Sequence, residues 1–239
     1  RELLEQQSNF ISVTHDYLST LLNAQARRKT VLMPTTDRDF VREKEEVINY
    51  RIQKYATDIN VVWVGSSASI DYLYLYKDGL NEAARKLNDK GKKLNLIVVS
   101  NIPFISEENE FYLKNIKWTR DEAILALKSA HIGIMPLANG KFEKGKGSFK
   151  LIQYMANWIP VIGSDVGFNS TVIKKNFGVL TNDSNSYDLV NGILKISTSL
   201  EVWMRMAKNA HKDWENNFSY ENNLLKIRKM IQAGEKYEQ

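Results

Sequence analysis

Four short apolar runs, each set between helical patterns, constrain the fold of this chain more than any other feature. They are Ile59–Val64, Leu94–Val99, His131–Leu137 and Pro160–Ile162. None keeps up the strict polar–apolar alternation of a strand with one wet face. Strands apolar along their length are buried on both sides, which requires a mostly parallel sheet covered by helices on each face. The intervening segments supply those helices. Ile70–Leu87 brings Ile70, Leu73, Tyr74, Leu80, Ala84 and Leu87 near one helical face. Thr119-Arg120-Asp121-Glu122 is a capping box that opens a helix running to Ala130. Tyr187–Ile196 and Leu200–Ile231 read as helices, the latter broken near Asn217. Before the first run, Asn9–Val13 is a short β-branched segment and Thr14–Ala24 a helix. Lys29–Met33 is a strand stopped by Pro34, and Asp37–Ala56 a charged amphipathic helix. The expected class is α/β, with a Rossmann-like, mostly parallel sheet flanked by helices.

Ligands of such sheets bind outside the carboxyl ends of the strands. Here those exits are Gly65–Ser69, Ser100–Phe104, Trp118 and Gly140–Ser148. The last is the richest. Three glycines, Gly140, Gly145 and Gly147, lie among Lys141, Lys144, Lys146 and Lys150, ahead of a helix. Glycines let backbone N–H groups turn inward, and a helix N-terminus adds partial positive charge; together they cradle phosphate. Lys150 falls in the first helical turn behind an expected N-cap at Ser148. A cation there opposes the helix dipole unless an anion sits between. A lone lysine there could equally be a solvated surface residue, but four lysines around three glycines favour a phosphate or diphosphate site.

Bulk properties narrow the partners. The chain has 239 residues and a formal net charge of +5. This spread-out excess suits a phosphorylated ligand or an acidic membrane surface and falls short of a nucleic-acid arm. With no cysteine, disulfides, thiolate zinc sites and Cys nucleophiles are excluded. No apolar run reaches the ~18 residues of a membrane span, and no signal peptide is visible.

Several segments resemble the C-terminal, nucleotide-sugar-binding half of a GT-B glycosyltransferase of family 4, over about Ile59 to Met230. They are Val61–Val64 ending in Gly65-Ser66, Leu94–Val99 with Ser100, Asn115-Ile116-Lys117-Trp118, and His131–Leu137. The strongest is Gly145-Lys146-Gly147-Ser148-Phe149-Lys150-Leu151-Ile152-Gln153-Tyr154-Met155-Ala156, followed by Pro160-Val161-Ile162. Phe10–Pro34 resembles the end of the first GT-B domain and its crossover. The resemblance implies that residues 1–36 are the tail of that first domain. It implies that residues 37–239 form the nucleotide-sugar-binding domain with its C-terminal helices. The chain begins at Arg1, and the rest of the first domain is expected to be missing from it, leaving the fragment inactive by itself.

The implied activity is transfer of a sugar, with retention, from a nucleotide-diphosphate sugar to a glycan or lipid-linked acceptor. The implied context is polysaccharide synthesis in the cytoplasm, at the inner face of the membrane. No cofactor, metal or nucleic acid is implied beyond the donor itself. Lys146 and Lys150 would contact the donor diphosphate, helped by the amides of Gly147, Ser148 and Phe149 and by the Gly65-Ser66-Ser67 loop. Gln153, Lys117, Trp118 and Ser100 would serve the ribose and base. Gln153 stands where the family usually has a glutamate, and the residue eight before it is Gly145. The family's Glu-x7-Glu pair is thus not intact, and Glu143 is out of register. The basic residues common after the first strand of this domain are also absent. That altered motif supports an alternative: a non-catalytic nucleotide or nucleotide-sugar binding module.

Other motifs are weaker. Gly140-(four residues)-Gly145-Lys146 approaches a Walker A loop, but Gly147 stands where magnesium needs Ser or Thr. Asp37-Arg38-Asp39 has the form of a metal–nucleotide triplet, yet its place before a charged helix suits a cap. His15, His131 and His211 lack ligand spacing. His15 is expected at an exposed helix start, His131 in a structural place and His211 on a solvated helix face. Tyr72, Tyr74 and Tyr76, and Trp203, Met206, Trp214 and Phe218, read as packing residues.

Overall fold

A computed structural model of the chain describes residues 2–34, 44–182 and 186–235. The Asp37–Asp39 triplet lies outside the described residues. The apolar runs form strands β3 (Asp58–Val64), β4 (Lys93–Ser100), β6 (Ile132–Met135) and β7 (Val161–Ser164). Two further strands join them, β5 (Tyr112–Lys117) and β8 (Gly178–Thr181). The six strands make one sheet in the order β5-β4-β3-β6-β7-β8, parallel throughout. Two shorter strands, β1 (Ile11–Val13) and β2 (Thr30–Leu32), form a separate parallel pair.

Alternate residues of each strand feed two cores. Val61 and Trp63 of β3, with Leu96 and Val98 of β4, face a layer containing Leu80, Leu87, Leu189 and Trp203. Val62, Val64 and Val99 face a layer containing Leu127, Leu151, Tyr154 and Trp214. The sheet is therefore buried on both faces, as the runs require.

The strand order decides where a ligand can enter. From β3 the chain moves outward one way through β4 and β5, then returns to pair β6 with the opposite edge of β3. The carboxyl ends of β3 and β6 thus diverge at a switch point, which opens the crevice where open α/β sheets bind ligands.

Some elements differ from expectation. The segment after β3 is a 3₁₀ helix over Ser67–Tyr76, followed by an α-helix over Lys77–Asn88. Its buried residues Ile70, Leu73 and Tyr76 recur every third position, the eclipsed spacing of a 3₁₀ turn. β5 was hidden because it is an exposed edge strand with an alternating Tyr-Leu-Lys-Asn-Ile-Lys sequence. Thr14–Ala24 divides into Asp16–Thr20 and Ala24–Arg27, the second capped by the Asn23 side chain. The long terminal helix breaks at Phe218-Ser219 into Leu200–Asn217 and Tyr220–Glu235. Thr119 caps the Arg120–Ser129 helix by accepting from the Glu122 amide at 3.2 Å.

Candidate functional site

The helix Phe149–Ala156 carries the motif, and three anchors fix it against the switch point. Gly133 in β6 leaves no Cβ where the Tyr154 ring crosses the strand. Tyr154 can therefore reach β3, where its hydroxyl accepts from the Val64 N–H at 3.0 Å. At the far end, the buried Arg51 guanidinium donates to the carbonyls of Asn157 and Trp158 at 2.9 Å each. Leu151, Ile152 and Met155 are buried in the core.

The amino end of this helix opens on a cavity of about 410 Å³ at the carboxyl ends of β3 and β4. Of the residues singled out in the sequence, Gly65, Ser66, Trp118, Phe149, Lys150 and Gln153 line it. Gln153 is only 7% exposed, and its carboxamide has no hydrogen-bond partner among the described residues. Trp118 is 44% exposed; its backbone N–H is held by the Ser100 carbonyl at 2.9 Å. Asn101 and Arg120 also line the wall. Neither stood out in the sequence, because a lone polar residue past a strand and an arginine inside a capping box both have ordinary readings.

Lys150 is the electrostatic centre. Its ammonium donates to the Ser69 hydroxyl at 3.4 Å and lies 5.1 Å from the centre of the Trp63 ring. Burial, then the nearby Lys146 charge, pushes its pKa down to about 8. Among the described residues no carboxylate pairs with it. A desolvated cation without a counter-charge is costly, and an anionic ligand would relieve that cost.

The remaining candidates lie around this wall. Lys146 stands outside the cavity lining, its ammonium 4.3 Å from the centre of the Tyr72 ring and 5.2 Å from that of Phe142. Burial lowers its pKa, opposed by Glu143. The Tyr72 hydroxyl donates to the Glu143 carboxylate. Burial and that bond push the Tyr72 pKa up to about 12, while the same bond lowers that of Glu143. Gly147 packs against Thr14, with room for no more than a tight Cβ contact of 3.2 Å. Ser67 begins the exposed end of the 3₁₀ helix, and Lys117 is exposed at the end of β5. The Ser100 hydroxyl is buried with no hydrogen-bond partner among the described residues, and Ser100 does not line the cavity.

Ser148 does not cap the helix. It adopts a left-handed conformation with φ 52° and makes no side-chain cap bond. Its hydroxyl instead donates to Asn169 at 2.7 Å, in the interior. His15 is likewise buried rather than exposed. It stacks on Phe168 with centroids 5.0 Å apart, and its Nε2 lies 3.3 Å from the Gly145 carbonyl. The glycine-rich loop is thus covered on its Thr14–Leu18 side, and the cavity lining begins only after it, at Phe149. His211 is half-buried against Trp158, centroids 3.9 Å apart, because the helix carrying it packs across the end of Phe149–Ala156. A second cavity, of about 430 Å³, lies between Thr14–Tyr17 and Gly167–Lys174 and contains none of the motif. Among the described residues no cluster of His, Cys, Asp or Glu could hold a metal. No helix among them is long and apolar enough to cross a membrane.

No protein-family model and no curated sequence matches the chain. Solved structures do resemble it. HepE from Anabaena, solved with UDP and glucose, is 14% identical with a TM-score of 0.70, over 97% of this chain and 65% of that one. A point mutant of TarM from S. aureus, solved with fondaparinux, alpha-GlcNAc-glycerol and UDP, is 14% identical with a TM-score of 0.66, over 95% and 44%. The C-terminal domain of the group 1 family glycosyl transferase LpcC from Francisella tularensis is 11% identical with a TM-score of 0.58, over 78% of this chain and 100% of that one. These neighbours are GT-B glycosyltransferases, and the sheet with its helices has the Rossmann-like fold of that class. At such identities the likeness is one of fold. The chain spans under two thirds of the length of HepE and of TarM.

Proposed function

We propose that this chain is the donor-binding half of a family 4 glycosyltransferase, acting with retention on a nucleotide-diphosphate sugar and a glycan or lipid-linked acceptor. One observation carries the reading: the Lys150 ammonium, desolvated and with no carboxylate beside it among the described residues, sits at the N-terminal end of the Phe149–Ala156 helix, on the wall of the cavity. UDP held by HepE and TarM supports the ligand class. In this reading residues 1–36 end the first domain, 37–239 hold the donor, and the whole works at the inner face of the membrane. The diphosphate occupies the space before Phe149, facing Lys150, Gly65 and Ser66. The ribose lies by Gln153, and the base by Trp118. As the sugar leaves, negative charge grows on the diphosphate. Helix amides and the Lys150 ammonium meet that charge without reorganising, which lowers the barrier, and Lys146, outside the cavity lining, adds to the positive field. The acceptor and the groups that act on it come from the first domain.

Calorimetric titration with UDP, GDP, ADP and CMP tests the site. The wild-type chain binds at least one, and Lys150→Ala weakens that affinity by ~1.5–3 kcal/mol, the range of a charge-assisted hydrogen bond. Equal affinity in wild type and variant overturns the assignment. A second reading, a nucleotide-sugar-binding module without turnover, is favoured by the absence of any carboxylate among the described residues that line the cavity. Release of nucleoside diphosphate from a bound sugar donor by the chain joined to its first domain decides between them.

A further inference from the structure

We propose that Asn169 is a positioning residue for the anion site: it holds Ser148 in its left-handed conformation and so leaves the Phe149–Ala156 helix uncapped toward the cavity. The inference rests on the donor-site reading above. Its starting point is a conflict at Ser148. A serine before a helix ordinarily turns its hydroxyl onto the first-turn amides. Here the hydroxyl is withdrawn, and φ is 52° at a residue with a Cβ. Non-glycine residues occupy that region at a cost and stay there only when their surroundings hold them.

Asn169 is the group that holds it. It is fully buried, and its Oδ1 accepts from the Ser148 hydroxyl at 2.7 Å. Its amide nitrogen donates to the Ser164 carbonyl at 3.2 Å and reaches the Met135 carbonyl at 3.5 Å. Ser164 in turn accepts the Leu137 N–H through its hydroxyl at 2.9 Å. Gly163 makes room, since a Cβ there would lie 3.2 Å from the Asn169 amide. One side chain thereby ties Ser148 to the carboxyl ends of both β6 and β7. With the serine hydroxyl captured below, no side chain among the described residues bonds the first-turn N–H groups. Gln153, nearly buried on the same helix and with no partner for its carboxamide among the described residues, lines that cavity as well.

The test is a double-mutant cycle on the full chain. The ligands are whichever of UDP, GDP and ADP the wild type binds best, and its parent nucleoside. Glycine adopts the left-handed conformation freely, so it removes the need for a tether. Asn169→Ala is expected to weaken the diphosphate about tenfold, with the nucleoside changed less than about twofold. In a Ser148→Gly background the same substitution costs less than about twofold. Equal losses in both backgrounds, or equal losses for diphosphate and nucleoside, overturn the proposal in favour of a merely structural asparagine. If Asn169→Ala fails to fold by circular dichroism, Ser148→Ala against Ser148→Gly replaces it. Both lack the hydroxyl, and only Ser148→Ala is expected to lose affinity; equal affinities overturn the proposal. A wild type that binds none of the three diphosphates sinks the donor-site reading, and the inference with it. Binding without coupling sinks only the positioning role.

Discussion

Lys150 shows how one side chain can carry more information than its neighbours. Its stem crosses the end of β3 beside the Trp63 ring, and the two together leave no room for a side chain at Gly65: a Cβ there would lie 2.5 Å from the Trp63 ring and 2.8 Å from the lysine Cε. Close packing of an apolar stem leaves the ammonium poorly hydrated, hence a pKa near 8. The consequence for binding has a definite sign. The charged form, which holds a diphosphate, is complete below that pKa and is lost as pH rises through it. Diphosphate affinity is therefore expected to fall between about pH 7 and about pH 9, well before an ordinary lysine would titrate. Lys150→Arg should flatten that profile, since guanidinium stays charged. Calorimetry across this range checks it, and a flat wild-type profile would refute the desolvation argument.

At the scale of elements, the Phe149–Ala156 helix depends on what meets its two ends. Its amino end is left open, while its carboxyl end is closed by Arg51. That guanidinium is fully buried and donates to Leu127 and Lys128, at the end of the Arg120–Ser129 helix, as well as to Asn157 and Trp158. A cation between two helix C-termini answers both dipoles and their orphan carbonyls. Burial alone lowers its pKa, to about 9. Arg51→Met fills similar space but strands those carbonyls. The expected loss is about 3 kcal/mol or more, read as a lower urea midpoint at unchanged slope. A midpoint within error of wild type would mean that water replaces the guanidinium without cost. Trp158, left-handed at φ 59° where glycine is usual, is held by the same arginine and by stacking on His211.

Across the whole molecule, His131 joins parts that are far apart in sequence. Its Nδ1 accepts the Asn60 N–H at 2.9 Å, its Nε2 meets the Arg51 carbonyl at 3.1 Å, and its own carbonyl accepts from the Trp203 indole at 2.9 Å. Burial holds the imidazole neutral, down to a pKa of about 4 against 6.5 unfolded. Between those values the unfolded chain binds a proton that the folded chain refuses, so stability falls as pH drops through that window. The loss is on the order of 3 kcal/mol. His131→Gln, which can still accept and donate, should be less stable near neutrality but lose that part of the acid dependence. Urea melts from about pH 7 to about pH 4 measure both; parallel curves for the two proteins would exclude His131 as the source.

Local chemistry made much of this molecule legible. Runs such as Ile59–Val64 read as buried strands and form them, and Thr119 with Glu122 reads as a helix start and is one; each follows from residues within a turn or two of one another. Other features were settled by contacts between distant segments. Strand order, and with it the crevice between β3 and β6, arises when each strand finds its sheet neighbour. β5 carries no buried run because it lies at an edge. Ser148 reads as a cap until Asn169, twenty-one positions away, takes its hydroxyl, and His15 reads as exposed until Phe168 covers it. A side chain's type limits which bonds it can form, but the fold decides which partner stands within reach, because burial and hydrogen bonding depend on distance in space.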